Sequence, residues 1–140
     1  MTQKFVAVLW VFFLVTRPVC SNATNGVNDL VPEDMAFFAA LRRAVRDDDR
    51  RWIANHVWFP LNYRANGVRT SIKTENNFLR KYEVIFSLKV RNAIEAQTPE
   101  NLFKNDHGIM VGNGELWFDR FRNPSLPKGR WKYGILGINN

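Results

Sequence analysis

Two Asn-Gly pairs constrain this chain more than any other feature. Asn66-Gly67 lies between "LNYRA" (61–65) and "VRTSI" (68–72), and Asn113-Gly114 ends a Gly112-Asn113-Gly114 turn between "IMV" (109–111) and "ELWFDRF" (115–121). A two-residue Asn-Gly loop takes positive φ readily at both positions, and its twist matches that of an antiparallel hairpin. Each pair therefore predicts two antiparallel strands. A last strand is expected from Trp131 to Ile138, after a loop at 122–130, "RNPSLPKGR", with two prolines and a glycine.

The rest reads as helix. Pro32 suits the first turn of a helix, and Glu33 and Asp34 suit its positive end. Met35, Phe38, Leu41 and Val45 then recur at spacings of three and four, an amphipathic stripe. "DDD" at 47–49 breaks this helix and can cap a second one, which carries Trp52, Ile53 and His56 and should end before Pro60. Thr74 is the expected N-cap of a third helix, with Phe78, Tyr82, Ile85 and Phe86 buried and Val90 to Ala96 continuing it. Thr98-Pro99-Glu100 should open a short helix through Phe103. The order is two helices, a hairpin, a helix, then at least three antiparallel strands. That is an α+β pattern, with helices packed on one face of a curved antiparallel sheet.

The first residues read differently. Lys4 precedes an apolar run from Phe5 to Val15, and Ser21-Asn22-Ala23 supplies small residues before a cut. This is the anatomy of a secretory signal peptide cleaved near Ala23. The run is shorter than the roughly 18–20 residues that span a bilayer, and Arg17-Pro18 interrupts it. The expectations are a signal peptide at 1–23, a flexible lead-in at 24–31 and a single domain at 32–140. The product would be periplasmic or secreted, with no membrane span after cleavage. Cys20, the only cysteine, would leave with the signal peptide, so stability would come from an apolar core alone.

Charge narrows the partners. Of 20 basic residues, Lys4 and Arg17 leave with the signal peptide; the remaining 18 face 13 acidic ones, a net of +5. A basic exported chain suits anionic partners. The stretch from Arg120 to Lys132 groups Arg120, Arg122, Lys128, Arg130 and Lys132 with Trp131 and Tyr133. Such a mixture can bind single strands, but export argues against nucleic acid and for an acidic protein or an envelope glycolipid.

"WFPLNYRANGVRTSI" (58–72), "FLRKYEVIFSLKV" (78–90), "NLFKNDHGIMVGNGELWF" (101–118) and the final "GILGIN" cover nearly all of residues 32–140. On these stretches the chain resembles the cystatin-like, cone-shaped fold of the nuclear transport factor 2-like superfamily. It is similar in particular to uncharacterised small bacterial periplasmic proteins of that shape. The resemblance implies a sheet with one face on helices and part of it lining a cavity, and a homodimer through the open sheet face. It implies fold more than function, because the superfamily includes isomerases, cyclases, dehydratases, binding domains and immunity proteins.

Candidate site residues follow from chemistry. Glu115 and Asp119 would share a strand face about 13 Å apart, too far to act as a carboxylate pair. Glu115, next to the turn and close to Trp117, is the better single acid. His56 is the other catalytic candidate, with Tyr63 or Tyr82 as an oxyanion donor. Asp106 and His107 are adjacent, and on a strand they would point to opposite sides. Trp58, Tyr63, Tyr82, Trp117 and Phe121 are the candidate ligand-binding aromatics, with Trp117 and Phe121 expected to face an interior. No histidine, cysteine or carboxylate spacing suggests a metal, and no glycine loop suggests a phosphate cofactor.

The leading expectation is a non-catalytic exported domain that binds a protein partner or a small apolar ligand and needs no cofactor. The alternatives are an isomerase- or dehydratase-type enzyme and an envelope immunity or inhibitor protein.

Overall fold

The computed structural model describes residues 30–122 and 131–140. The expected signal peptide, residues 24–29 of the lead-in and residues 123–130 of the basic loop lie outside the described residues. No helix among the described residues is long and apolar enough to cross a membrane.

α1 (Pro32–Arg46) presents Phe37, Phe38, Leu41, Ala44 and Val45 to the core. Asp49 caps α2 (Arg50–Asn55), its side chain accepting the Trp52 N–H at 3.0 Å. β1 (Val57–Ala65) and β2 (Val68–Ile72) form the first hairpin, with Ala65 opposite Val68. Asn66 and Gly67 take φ values of 50° and 77°, as the loop demands. α2 ends before Pro60, as expected, but β1 begins earlier than expected and Pro60 lies inside it. The residue pairing between β1 and β6 slips in that stretch, between Val57 and Asn62, so a residue without an N–H is tolerated there.

The third helix is broken. Thr74 caps α3 (Glu75–Arg80) through its hydroxyl, and α4 (Tyr82–Ile85) and α5 (Leu88–Ala96) follow. Phe78, Tyr82, Ile85, Phe86, Val90 and Ile94 are all buried. At about 100° per residue, Ile94 on one straight helix would sit about 160° round from Phe78. The breaks at Lys81 and at Phe86-Ser87 turn the chain so that all six reach one core. A single 3-10 turn (Pro99–Asn101) replaces the expected short helix, and Phe103 instead opens a strand.

That strand, β3 (Phe103–Asn105), is followed by β4 (Gly108–Val111), β5 (Leu116–Arg122) and β6 (Trp131–Asn139). The six strands form one open sheet in the order β2-β1-β6-β5-β4-β3. Neighbours run antiparallel except β1 and β6, which are parallel. The sheet is therefore mixed, not wholly antiparallel. Local turns dictate the antiparallel pairs, whereas β1 and β6 are separated by three helices and a meander.

Helices cover one face of this sheet. That inner face carries Leu61, Ile109, Val111, Leu116, Phe118, Ile135 and Ile138, all at 0% exposure. Phe118 lies parallel to Phe38 of α1 at 6.4 Å and tilts against Phe37 at 5.1 Å. Burying a side chain of this size contributes about 1.5–3 kcal/mol. Gly108 is required at its position: its φ is +119°, and an added Cβ would lie 2.8 Å from the Phe118 carbonyl oxygen. Trp117 and Phe121 lie on the other, outer face, which corrects the expectation that they face an interior. β5 is apolar on both sides, and the α1 phenylalanines claim the Leu116–Phe118 side.

Candidate functional site

The outer face holds a groove of about 380 Å³, lined by Asn62, Arg64, Arg69, His107, Trp117 and Gly137 among others. Its shape follows from strand register. Asn62, Gly137 and Trp117 are cross-strand partners in one row over β1, β6 and β5. Gly137 carries no side chain, so the row dips between Asn62 and Trp117. Two residues along, Arg69, Arg64 and Asn139 form the next row on the same face. The His107 ring, in the β3–β4 turn, meets the Trp117 ring edge-on at 6.5 Å. Asn139 donates its amide to the Gly114 carbonyl at 2.6 Å, which leaves its side-chain oxygen as an acceptor.

Arg64 and Arg69 stand directly opposite each other at the hairpin end. Like charges so placed repel. The ion pairs among the described residues engage other cations, namely Arg42, Arg46, Arg50, Arg91, Lys104, Arg120 and His107. None of the described groove-lining residues is acidic. Asp106, the neighbour of the groove-lining His107, is held by its ring at 2.9 Å. That bond corrects the expectation that the two side chains diverge: they sit in a tight turn, where strand alternation does not apply.

A second polar centre lies under the helices. Asp34, at 0% exposure, is the one buried charged residue among those described. Its carboxylate accepts the Tyr133 hydroxyl at 2.7 Å and the Val31 N–H at 3.0 Å. Arg120 and Lys104 approach it at 3.6 and 3.8 Å. The Arg120 guanidinium also lies 5.3 Å from the Trp131 ring centre. Burial and the adjacent Asp34 carboxylate push the Tyr133 hydroxyl above its ordinary pKa. Two hydrogen bonds and two nearby cations engage the carboxylate, so Asp34 acts as an anchor that fixes the start of α1 over β3, β5 and β6. Sequence reading placed Asp34 at a helix start and missed its burial.

The two catalytic candidates are apart and engaged. His56 stacks on Trp52 at 3.8 Å, and its Nδ1 lies 2.7 Å from the Trp52 carbonyl oxygen. Glu115 accepts the Asn113 N–H at 2.6 Å and borders a shallow depression beside α5. The His56 carbonyl pairs with Ile135 and the Glu115 carbonyl with Asn139. These contacts lie four residues apart on β6, roughly 10 Å along the strand because an extra β6 residue bulges between them.

The five candidate aromatics are divided among three places. Trp58 and Phe121 stack on each other at 4.5 Å on the outer face. Trp117 and Tyr63 border the groove, and the Tyr63 hydroxyl donates to the Val84 carbonyl at 3.1 Å. Tyr82 is in the core, stacked on Phe86 at 5.1 Å beneath Arg50 and Arg91. Its hydroxyl has no hydrogen-bond partner among the described residues, and burial pushes its pKa up to about 12.

No group of three or more histidine, cysteine or carboxylate side chains placed to hold a metal occurs among the described residues. No family model, curated protein or solved structure matches the chain.

Proposed function

We propose that this chain is an exported, non-catalytic domain that engages its partner or ligand through the outer face of the sheet. The observation that carries this reading is the apolar surface on that face. Trp58 and Phe103 are 47% and 39% exposed, and Met110, Trp117, Phe121 and Leu136 are half-buried beside them. Clustered exposed aromatics on a face that no described element covers mark interaction surfaces. The helix–helix–hairpin–helix–meander order and the β2-β1-β6-β5-β4-β3 sheet support placing the chain in the cystatin-like, nuclear transport factor 2-like class. In that class a protein partner, including a second copy of the chain, is the occupant that best fits an open aromatic face. The separate engagements of His56 and Glu115 favour binding over an isomerase or dehydratase role.

The test is association. Light scattering after gel filtration gives the oligomeric state, and cross-linking in envelope extract shows a foreign partner. The Trp58→Asp variant should lose whichever association the wild type makes. A wild type that stays monomeric and cross-links to nothing, or a variant that associates as well as the wild type, would sink the reading.

A further inference from the structure

The groove's chemistry is more specific than a general interaction surface. Its two ends differ. At one end Arg64 and Arg69 oppose each other with no acidic side chain among the described groove-lining residues. Guanidinium forks match carboxylate and phosphate geometry. At the other end Trp117 offers a flat ring. Arg64 and Trp117 are separated by two strand spacings across and two residues along, about 12 Å between backbones. An arginine side chain reaching inward shortens that to the length of one ring with an anionic substituent. Gly137 floors the space between, and the amides of Asn62 and Asn139 border it. Asn62 brings both a donor and an acceptor, and Asn139 an acceptor, which suits a ligand rich in hydroxyls. The groove's 380 Å³ lies at the small end of the range for small-molecule sites, about 300–1,000 Å³.

We propose that this groove binds an anionic sugar, a sugar acid or sugar phosphate, with the anion between Arg64 and Arg69 and the ring against Trp117. The arrangement explains why two arginines face each other across a hairpin, where an uncompensated pair destabilises the fold. It rests on the outer face being the binding face, and adds a small ligand to it.

Tryptophan fluorescence and calorimetry on the purified protein test this, with four probes: glucuronate, glucose 1-phosphate, glucose and inorganic phosphate. Saturable binding of the two anionic sugars is expected, at least tenfold tighter than glucose or phosphate alone. Arg64→Ala and Arg69→Ala should each weaken it at least tenfold, and Trp117→Ala should do the same by calorimetry. Both arginines are exposed, so these variants should keep the wild-type circular dichroism spectrum. Oligogalacturonate against its monomer distinguishes the end of a glycan from a free sugar acid; tighter binding of either supports the site. No saturable binding of either anionic sugar, or binding unchanged in both arginine variants, overturns the proposal. Phosphate binding as tightly as glucose 1-phosphate, or adenosine monophosphate binding more tightly, overturns the sugar assignment. Trp58→Asp separates this result from the broader reading: it should abolish protein association and leave sugar affinity within twofold of wild type.

Discussion

Phe118 and Phe121 lie three residues apart on β5 and face opposite ways. Phe118 is sealed between Phe37 and Phe38 of α1. Phe121 has Trp58 as its stacking partner, and Trp58 remains 47% exposed. The inner face buries its large apolar side chains in one core with those of the helices. The outer face keeps aromatics and opposed arginines at the surface, where packing alone gives no reason for them. Residues on the two faces should therefore respond differently to the same truncation. Phe118→Ala removes a fully buried ring and should cost about 3–5 kcal/mol in urea unfolding. Phe121→Ala should cost about 1 kcal/mol, the scale of one aromatic pair. Equal losses would break the comparison and place Phe121 in the core.

Asp34 is the polar counterpart of Phe118. Replacing it by Ala leaves Tyr133, Arg120 and Lys104 facing an uncharged gap. Loss of one partner from a buried charge cluster costs about 3–5 kcal/mol. Asp34→Asn keeps an acceptor for Tyr133 and should cost less, so the pair of variants separates charge from hydrogen bonding. An Asp34→Ala variant as stable as wild type would show that the anchor contributes nothing to the inner face.

Much of this division was legible in the sequence, and the remainder depends on contacts between distant residues. The α1 stripe, the Thr74 cap and the Asn66-Gly67 turn follow from local spacing; at the second hairpin Val111 pairs with Leu116, so Glu115 joins a four-residue loop and only the flanking Gly112 and Gly114 take positive φ. The Arg64–Arg69 pair was legible too: a two-residue loop at Asn66-Gly67 sets Ala65 opposite Val68, and therefore Arg64 opposite Arg69. The face of Trp117 was not. β5 is apolar on both sides, so alternation alone cannot say which side meets the helices. Burial of Asp34 depends on Tyr133, 99 residues away, and an acid at that helix position is equally at home in water. The parallel β1–β6 pairing is equally non-local. The path at Phe86-Ser87 is set by six side chains sharing one core, which no single window of sequence displays.

Tyr82 tests how complete the inner face is, with the smallest expected effect. Its ring is packed, but its hydroxyl is buried with no hydrogen-bond partner among the described residues. Such a group contributes nothing where it is and loses its hydration on folding. Tyr82→Phe should therefore be neutral or stabilising by up to about 1 kcal/mol at pH 7. In alkali the sign is set by the raised pKa. Burial holds the folded hydroxyl protonated up to about 12, against an ordinary 10.0. Below pH 10 the folded and unfolded states carry the same proton. Between 10 and 12 the unfolded chain releases it first, so stability falls as pH rises. Tyr133 shifts the same way, so wild type and Tyr82→Phe should both weaken in alkali, the variant less. Urea midpoints at pH 8, 10 and 11.5 measure the gap. If the two lines stay parallel to pH 11.5, Tyr82 ionises as freely folded as unfolded, and its hydroxyl reaches water that the inner face is otherwise built to exclude.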